Sequence, residues 1–526
     1  MRVQCSLALP YFLLLGCLFV CCSLSGCQTV ASAAPRQEAP TPEPSDAEAP
    51  RPIRIAINED LPTLDPHHHL TIVGGAVLCN IFEPLVCRTR RNEPIPCLAE
   101  RWSTDDSQSW RFYLRPKVRF HDGSALTVGD VVFSLERARN DPRSEIGGFL
   151  SGVSSIKADL SAGAIDIVTR RPEPFFLESL SMIPIVPASS PAEIIEPIGT
   201  GPYRFVAYHR QDVLRLQRFE GYWNEAPPEA AAEFAVIPDA VKAAELLEAG
   251  EVDLTTYLPP RLVERIESND DLWVESLLSQ SVIYLQLNSA KPPFDDPRIR
   301  QAIDLAVDRE ALMTNVTLNH TRPASQMLAP SILGHDPHLV PTGRSLGRAR
   351  QLLKEARGGE PVAIAIDTTA AYERHAIALA AQLAEVGFEV EIRVRQWPEL
   401  YKALEDGEVS TWLGVWAYDS SDGAVYFNVA VHSPTDDRKL GSSNLTRYSD
   451  PQLDALIRSA GDQSDLTARE AKLQEISRRW VELDVEIPLL WPLDLYGTRQ
   501  DLEWEARKDS ALHLPEMRLQ RQFDPR

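Results

Sequence analysis

Apolar and polar positions along the chain predict short strands interleaved with amphipathic helices. Residues 54–58 (RIAIN) read as a strand, followed by a turn at Leu64-Asp65-Pro66. Residues 70–83 are predicted as a helix that ends before Pro84. Residues 110–114 (WRFYL) and 118–121 (VRFH) alternate as strands do, and His121-Asp122-Gly123 makes a turn. Thr127 is placed to cap a helix running through Val131, Phe133, Ser134 and Leu135, with Asp130 standing where a capping box usually has Glu. In the second half, residues 362–366 form a continuous apolar strand. Residues 372–386 form an Ala-rich helix with Gly387 at its C′ position, and residues 388–394 alternate as a half-buried strand. Residues 412–416 (WLGVW) read as a further buried strand. Strand, helix and strand with short connections predict a parallel pair, hence an α/β fold. In such sheets ligands lie beyond the carboxyl ends of strands, which draws attention to the residues after Trp416.

The longest apolar run, residues 7–26, is preceded by a single charge at Arg2. It ends in Leu24-Ser25-Gly26-Cys27, which resembles a bacterial lipobox, with small residues before a cysteine that receives lipid. Residues 28–52 are rich in Ala, Pro, Glu and Ser, the composition of an extended tether. The expectation is a signal peptide over residues 1–26, lipid on Cys27, a tether over residues 27–50 and a soluble body beyond it. Removing the leader leaves Cys79, Cys87 and Cys97 besides Cys27. Residues around Cys87 and Cys97 read as two short strands about a polar turn, so a Cys87–Cys97 disulfide suits an exported protein. Cys79, among Val77, Leu78, Ile81 and Phe82, reads as a buried thiol. Sequence leaves the connectivity open.

The chain has 526 residues, 44% hydrophobic and 24% charged, which excludes wholesale disorder and suggests more than one lobe. Its 53 Lys and Arg against 75 Asp and Glu give a net charge of −22, which argues against a nucleic-acid partner. The sequence has no G-x-x-x-x-G-K-[ST], G-x-S-x-G, H-E-x-x-H or G-x-G-x-x-G motif. His67-His68-His69 is the one metal-like feature. Adjacent side chains rarely converge on one ion, so it reads as a solvated loop, and no metal or cofactor is expected.

Residues 112–137, FYLRPKVRFHDGSALTVGDVVFSLER, resemble a characteristic block of the family 5 extracellular solute-binding proteins, the peptide/nickel-type receptors of ABC importers. Phe82-Glu83-Pro84-Leu85, Cys97-Leu98-Ala99-Glu100-Arg101-Trp102, Gly199-Thr200-Gly201-Pro202-Tyr203, Glu220-Gly221-Tyr222-Trp223 and Phe294-Asp295-Asp296-Pro297 follow the same family in order. These blocks also read as turns and caps that mark the fold. The resemblance implies a two-lobed periplasmic-binding-protein fold with a hinge of two crossing strands. Lobe I takes residues 51–285 and 493–526, lobe II takes residues 286–492, and an extra subdomain takes about 80–195. The crossings are expected near residues 284–288 and 487–493.

The resemblance also implies a binding residue. In peptide-binding relatives the Asp of a W-x-x-D run pairs with the ligand's α-ammonium, and Trp416-Ala417-Tyr418-Asp419 matches that run. The continuation Ser420-Ser421-Asp422-Gly423 departs from the usual Asp-Pro. The alternative is that Asp419 or Asp422 merely caps the next turn. Trp416, Tyr418, Trp397 and Tyr426 are candidates for the pocket wall or the core, and Arg374 for a ligand carboxylate or a solvated face.

The leading reading is a lipid-anchored, monomeric, extracytoplasmic receptor that captures a peptide-like solute by hinge closure and delivers it to an ABC permease and ATPase. The alternatives are a nickel chelate, opine, sugar or glutathione on the same fold, a sensory or scaffold lipoprotein, or a hydrolase of surface peptides.

Overall fold

The computed structural model describes residues 51–520 except 419 and 436–439. The predicted leader, the tether, Cys27 and Asp419 lie outside the described residues. Among the described residues, no helix is long and apolar enough to cross a membrane.

One sheet organises the fold. Among the described residues, ten of its strands run in the order Phe388–Val394, Val362–Thr368, Thr411–Ala417, Ser281–Leu287, Glu486–Arg499, Leu254–Thr255, Ile53–Ile57, Ala231–Val236, Val213–Arg218 and Tyr203–His209. Leu272–Leu278 and Thr321–Pro323 also pair with Glu486–Arg499. Val362–Thr368 is parallel to both its neighbours, as is Ile53–Ile57. The predicted βαβ unit is present, with helix Glu373–Ala384 between its strands and Gly387 at φ +113° where the chain turns back.

The 14-residue strand Glu486–Arg499 ties the two halves together. Its first part pairs with Ser281–Leu287, from Gln286↔Glu486 to Ile283↔Leu490. Its second part pairs with Leu272–Leu278, from Leu278↔Leu493 to Leu272↔Arg499. The long strand therefore changes partner between Leu490 and Leu493 and joins the two half-sheets. Ser281–Leu287 is buried along its whole length because its period of two serves two cores. Val282 and Tyr284 join Trp412, Phe427 and Trp480, while Ile283, Leu285 and Leu287 join Ile303 and Leu379. Separate cores line the other half-sheet. A four-stranded antiparallel sheet, Ala99–Ser103, Ser109–Leu114, Ala164–Thr169 and Val153–Asp159, carries its own core around Phe112, Leu135, Ile165 and Phe176.

Local signals hold where they are strong. Thr127 accepts from the Asp130 N–H, and the Asp130 carboxylate accepts from the Thr127 N–H at 2.9 Å, which closes a capping box on helix Val128–Asn140. Asp296 caps helix Pro297–Ala306. Two elements differ from expectation. The helix predicted over residues 70–83 is only Ile72–Leu78. The carbonyls of Asn80 and Ile81 instead accept from the N–H groups of Tyr203 and Gly201, which withdraws them from any helix. Gly199 and Gly201 permit this approach, since a Cβ would lie 1.9 Å and 2.7 Å, respectively, from the Ile81 carbonyl oxygen. Residues 118–121 form no strand. Lys117 at φ +65° and Gly123 at φ +86° fold them into a tight loop with a single bridge, Arg119↔Ala125.

Candidate functional site

A cavity of about 610 Å³ opens where the two crossing strands meet. That size falls in the range of about 300–1,000 Å³ that suits a small ligand. Ser279, Gln280 and Leu493 to Tyr496 line it from the hinge, and Ala417 and Tyr418 from the carboxyl end of strand Thr411–Ala417. Helix Ile72–Leu78, the hairpin Val86–Arg88 with Pro94–Pro96, and residues 507–513 close it from the other side. Cys87 and Cys97 are bonded, which links the first strand of this hairpin to the residue just after the second, with the Cα atoms 5.2 Å apart. Cys79 also lines the cavity as a free cysteine, and burial pushes its thiol up to about 12.

Most charged groups in the wall are internally compensated. Glu83 accepts from Thr200 Oγ1, Tyr222 Oη and Trp223 Nε1, each at 2.8 Å, and burial pushes it up to about 7. Arg507 pairs with Asp509 at 2.8 Å and with Glu516 at 2.6 Å. Two groups differ. Asp494 is pushed up to about 6 by burial, which outweighs the lowering effect of the nearby Ser279 hydroxyl. Arg88 donates to Asn92 Oδ1 at 2.9 Å and to Met182 Sδ at 3.0 Å, and burial lowers its pKa. Neither residue has an ion-pair partner within 4.0 Å among the described residues. His69, only 6% exposed, also lines the cavity, and both its ring nitrogens lack a hydrogen-bond partner among the described residues.

The cavity walls touch through the loop after Tyr418. Ser420 Oγ and the Ser421 N–H both donate to Glu178 Oε2 at 3.1 Å, and Asn92 Nδ2 donates to Ser421 Oγ at 3.0 Å. Ser420 and Ser421 open the stretch 420–423, which departs from the Asp-Pro that the resemblance leads one to expect.

Of the residues singled out from sequence, Trp416 and Tyr418 both pack against Tyr426, but they are not gathered around the cavity. Tyr418 lines the cavity and donates from its hydroxyl to the Met327 carbonyl at 2.7 Å. Trp416 packs edge-on against Tyr426, which is buried and donates to Glu486. Asp422 caps the short helix Gly423–Tyr426 and pairs with Arg469 at 2.5 Å. Trp397 is 49% exposed and leans on Tyr401 and Trp412, and Arg374 is exposed. None of Trp416, Tyr426, Asp422, Trp397 and Arg374 lines the cavity. The histidine triplet is not a solvated loop. His67 is fully buried, its Nε2 meets the Pro184 carbonyl at 2.8 Å, and its Nδ1 meets Arg137 at 2.9 Å. Among the described residues, no group of three or more His, Cys, Asp or Glu side chains is placed to hold a metal.

Sequence reasoning missed Asp494 and Arg88. Asp494 carries a readable signal, a lone carboxylate in the apolar run Leu489 to Tyr496. Arg88 carries none, since Arg90 and Arg91 stand beside it and only the fold separates them.

Similarity agrees with this architecture. The protein from Listeria monocytogenes described as ABC transporter substrate binding protein CtaP superposes with a TM-score of 0.81 at 19% identity, covering 90% of this chain and all of that one. DppA of Helicobacter pylori, solved with the peptide STSA, superposes with a TM-score of 0.74 at 22% identity, covering 89% and 98%. In sequence, the chain is 29% identical over 445 residues to a probable di/tripeptide-binding protein of Pseudomonas aeruginosa, covering 78% and 84% of the two chains. It is 27% identical over 417 residues to the dipeptide-binding protein of Escherichia coli K12, covering 72% and 77%. Residues 93–437 match the family described as bacterial extracellular solute-binding proteins, family 5 middle. With a two-lobed sheet and a ligand-sized cavity at its crossing strands, the chain belongs to the family 5 bacterial extracellular solute-binding proteins.

Proposed function

We propose that this protein is the lipid-anchored receptor of an ABC importer, and that it captures a peptide-like solute by closure about the two crossing strands. The carrying observation is the cavity of about 610 Å³ walled by both lobes and bridged from Glu178 and Asn92 to Ser420 and Ser421. Groups that meet only when the lobes approach stabilise the closed form, and a solute filling the space between them adds to that difference. The likeness to dipeptide- and di/tripeptide-binding proteins supports the peptide reading. In this reading lobe I spans residues 51–285 and 493–526, lobe II spans 286–492, and the four-stranded sheet belongs to an added subdomain of lobe I. Asp419, next to Tyr418, is the sequence-based partner for an ammonium group, and Cys27 carries the lipid.

Native mass spectrometry of the processed protein from its own host tests both halves of the proposal. Retention of a small solute with the mass of a short peptide, and an acylated N-terminus lost in Cys27→Ser, are the expected results. A retained nickel chelate, opine, sugar or glutathione replaces the peptide with that solute. An empty protein that no small solute stabilises against heat removes the receptor reading, and an unacylated Cys27 removes the anchor.

A further inference from the structure

Two opposite charges in the cavity wall lack internal partners. Asp494 stands on the long hinge strand, paired in register with Leu277, and lines the cavity with no ion-pair partner among the described residues and only the Ser279 hydroxyl near it. A carboxylate taken partly out of water keeps its charge only at a cost unless a cation or several donors compensate it. Every other acid in this wall has such compensation: Glu83 has three donors, and Asp509 and Glu516 have Arg507.

Arg88 is the mirror case. Its guanidinium offers five N–H donors, and the structure uses one on Asn92 Oδ1 and one on Met182 Sδ, a weak acceptor. The neighbouring carboxylates Asp509 and Glu178 act on it only at longer range. The planar fork suits a carboxylate, which accepts two parallel N–H bonds. Arg88 is also joined through Asn92 to Ser421 on the far wall, so a group held on Arg88 sits beside the contacts that bridge the cleft.

We propose that Asp494 seats a cationic group and Arg88 an anionic group of the same solute, so that the cavity selects dipolar solutes over singly charged or neutral ones. The proposal rests on the receptor reading and deepens it. It assigns the cationic end to the hinge strand, which pairs with strands of both half-sheets, and not to the 419 loop alone. The solute can then be held at the hinge before the lobes meet.

The test compares wild type with Asp494→Asn, Arg88→Gln and Asp419→Asn, after circular dichroism has shown each to be folded. Solute occupancy is read first by native mass spectrometry, whatever the solute is. Binding of the dipeptide Ala-Leu, its N-acetyl form and its C-terminal amide is read second, by calorimetry. Occupancy should fall about tenfold or more in Asp494→Asn and in Arg88→Gln. Acetylation should weaken wild type and not weaken Asp494→Asn further, and amidation should behave likewise with Arg88→Gln. If Arg88→Gln unfolds, Arg88→Lys keeps the charge without the fork and should still lose affinity. Unchanged occupancy in Asp494→Asn or in Arg88→Gln overturns the proposal and leaves the receptor reading standing. Loss in Asp419→Asn with Asp494→Asn silent moves the cationic seat to the loop and overturns it as well. If none of the three dipeptide forms binds, the peptide reading fails, while the retained solute still decides between the charge seats.

Discussion

Glu486 is 4% exposed, and no cation pairs with it among the described residues. Its Oε2 accepts from the Tyr426 hydroxyl and, at 2.7 Å, from the Trp480 indole N–H, with Tyr284 and Tyr418 also close by. Burial pushes its pKa from an ordinary 4.5 up to about 7. The folded state therefore holds the proton more tightly than the unfolded chain. The stability this gives is fully present below the unfolded pKa and is lost as pH rises through about 7. Both donors reach the same oxygen, so the amide oxygen of Glu486→Gln can replace it without a titration. The variant should gain on wild type between pH 5.5 and pH 8, by about 2 kcal/mol, in paired urea titrations. The difference matters because His67, His121 and His375, each held down to about 4 by burial, lose stability as pH falls below their unfolded range and so oppose the trend in wild type alone. A constant offset between the two proteins across that range would mean that Glu486 is ionised throughout.

Between elements, Asp422 shows why a residue's role escapes its local sequence. It caps helix Gly423–Tyr426 through the Ala424 N–H at 3.0 Å, and a capping role was one of its two sequence readings. What holds it away from the cavity is Arg469, on helix Leu466–Val481, which is buried and also donates to the carbonyls of Ala460, Gly461 and Gln463. Asp422→Asn keeps the cap and leaves the guanidinium unpaired, so it should cost about 3–5 kcal/mol in urea denaturation. Adding Arg469→Met should recover part of that loss, because the unpaired charge goes with it. A cost below about 1 kcal/mol in the single variant would mean that water reaches the pair. The same distinction sets what the sequence could reveal. The Thr127 capping box, the Asp296 cap and the 362–394 βαβ unit are decided within a few residues, and they stand as read. The end of helix Ile72–Leu78 is decided by residues 199–203, and the loop at 117–126 by two positive φ angles, so periodicity alone misplaced both. Tyr418 was legible as a wall residue, but Arg88 and Asp494 were not, since they join it only after the halves of the sheet have come together.

At the scale of the whole molecule, the contacts across the cleft are few and unequal. Arg171 and Asp462 lie 3.9 Å apart with side chains 60% and 69% exposed, so solvent screens them and they contribute little. Glu178 is shielded, burial raises its pKa, and it accepts two hydrogen bonds from the opposite wall through one oxygen. Hydrogen bonds to a charged acceptor contribute about 1.5–3 kcal/mol each, so this residue dominates the balance between lobes that touch and lobes that part. Glu178→Ala should shift the solute-free protein toward the open form, seen as a larger radius of gyration in small-angle scattering. Solute release, followed by stopped-flow fluorescence of the tryptophans, should quicken about tenfold or more, because a bound solute escapes only when the walls separate. Arg171→Ala should leave both readings unchanged. If Glu178→Ala also leaves them unchanged, closure is held by the solute alone, and the hydroxyls of Ser420 and Ser421 serve only to order their loop.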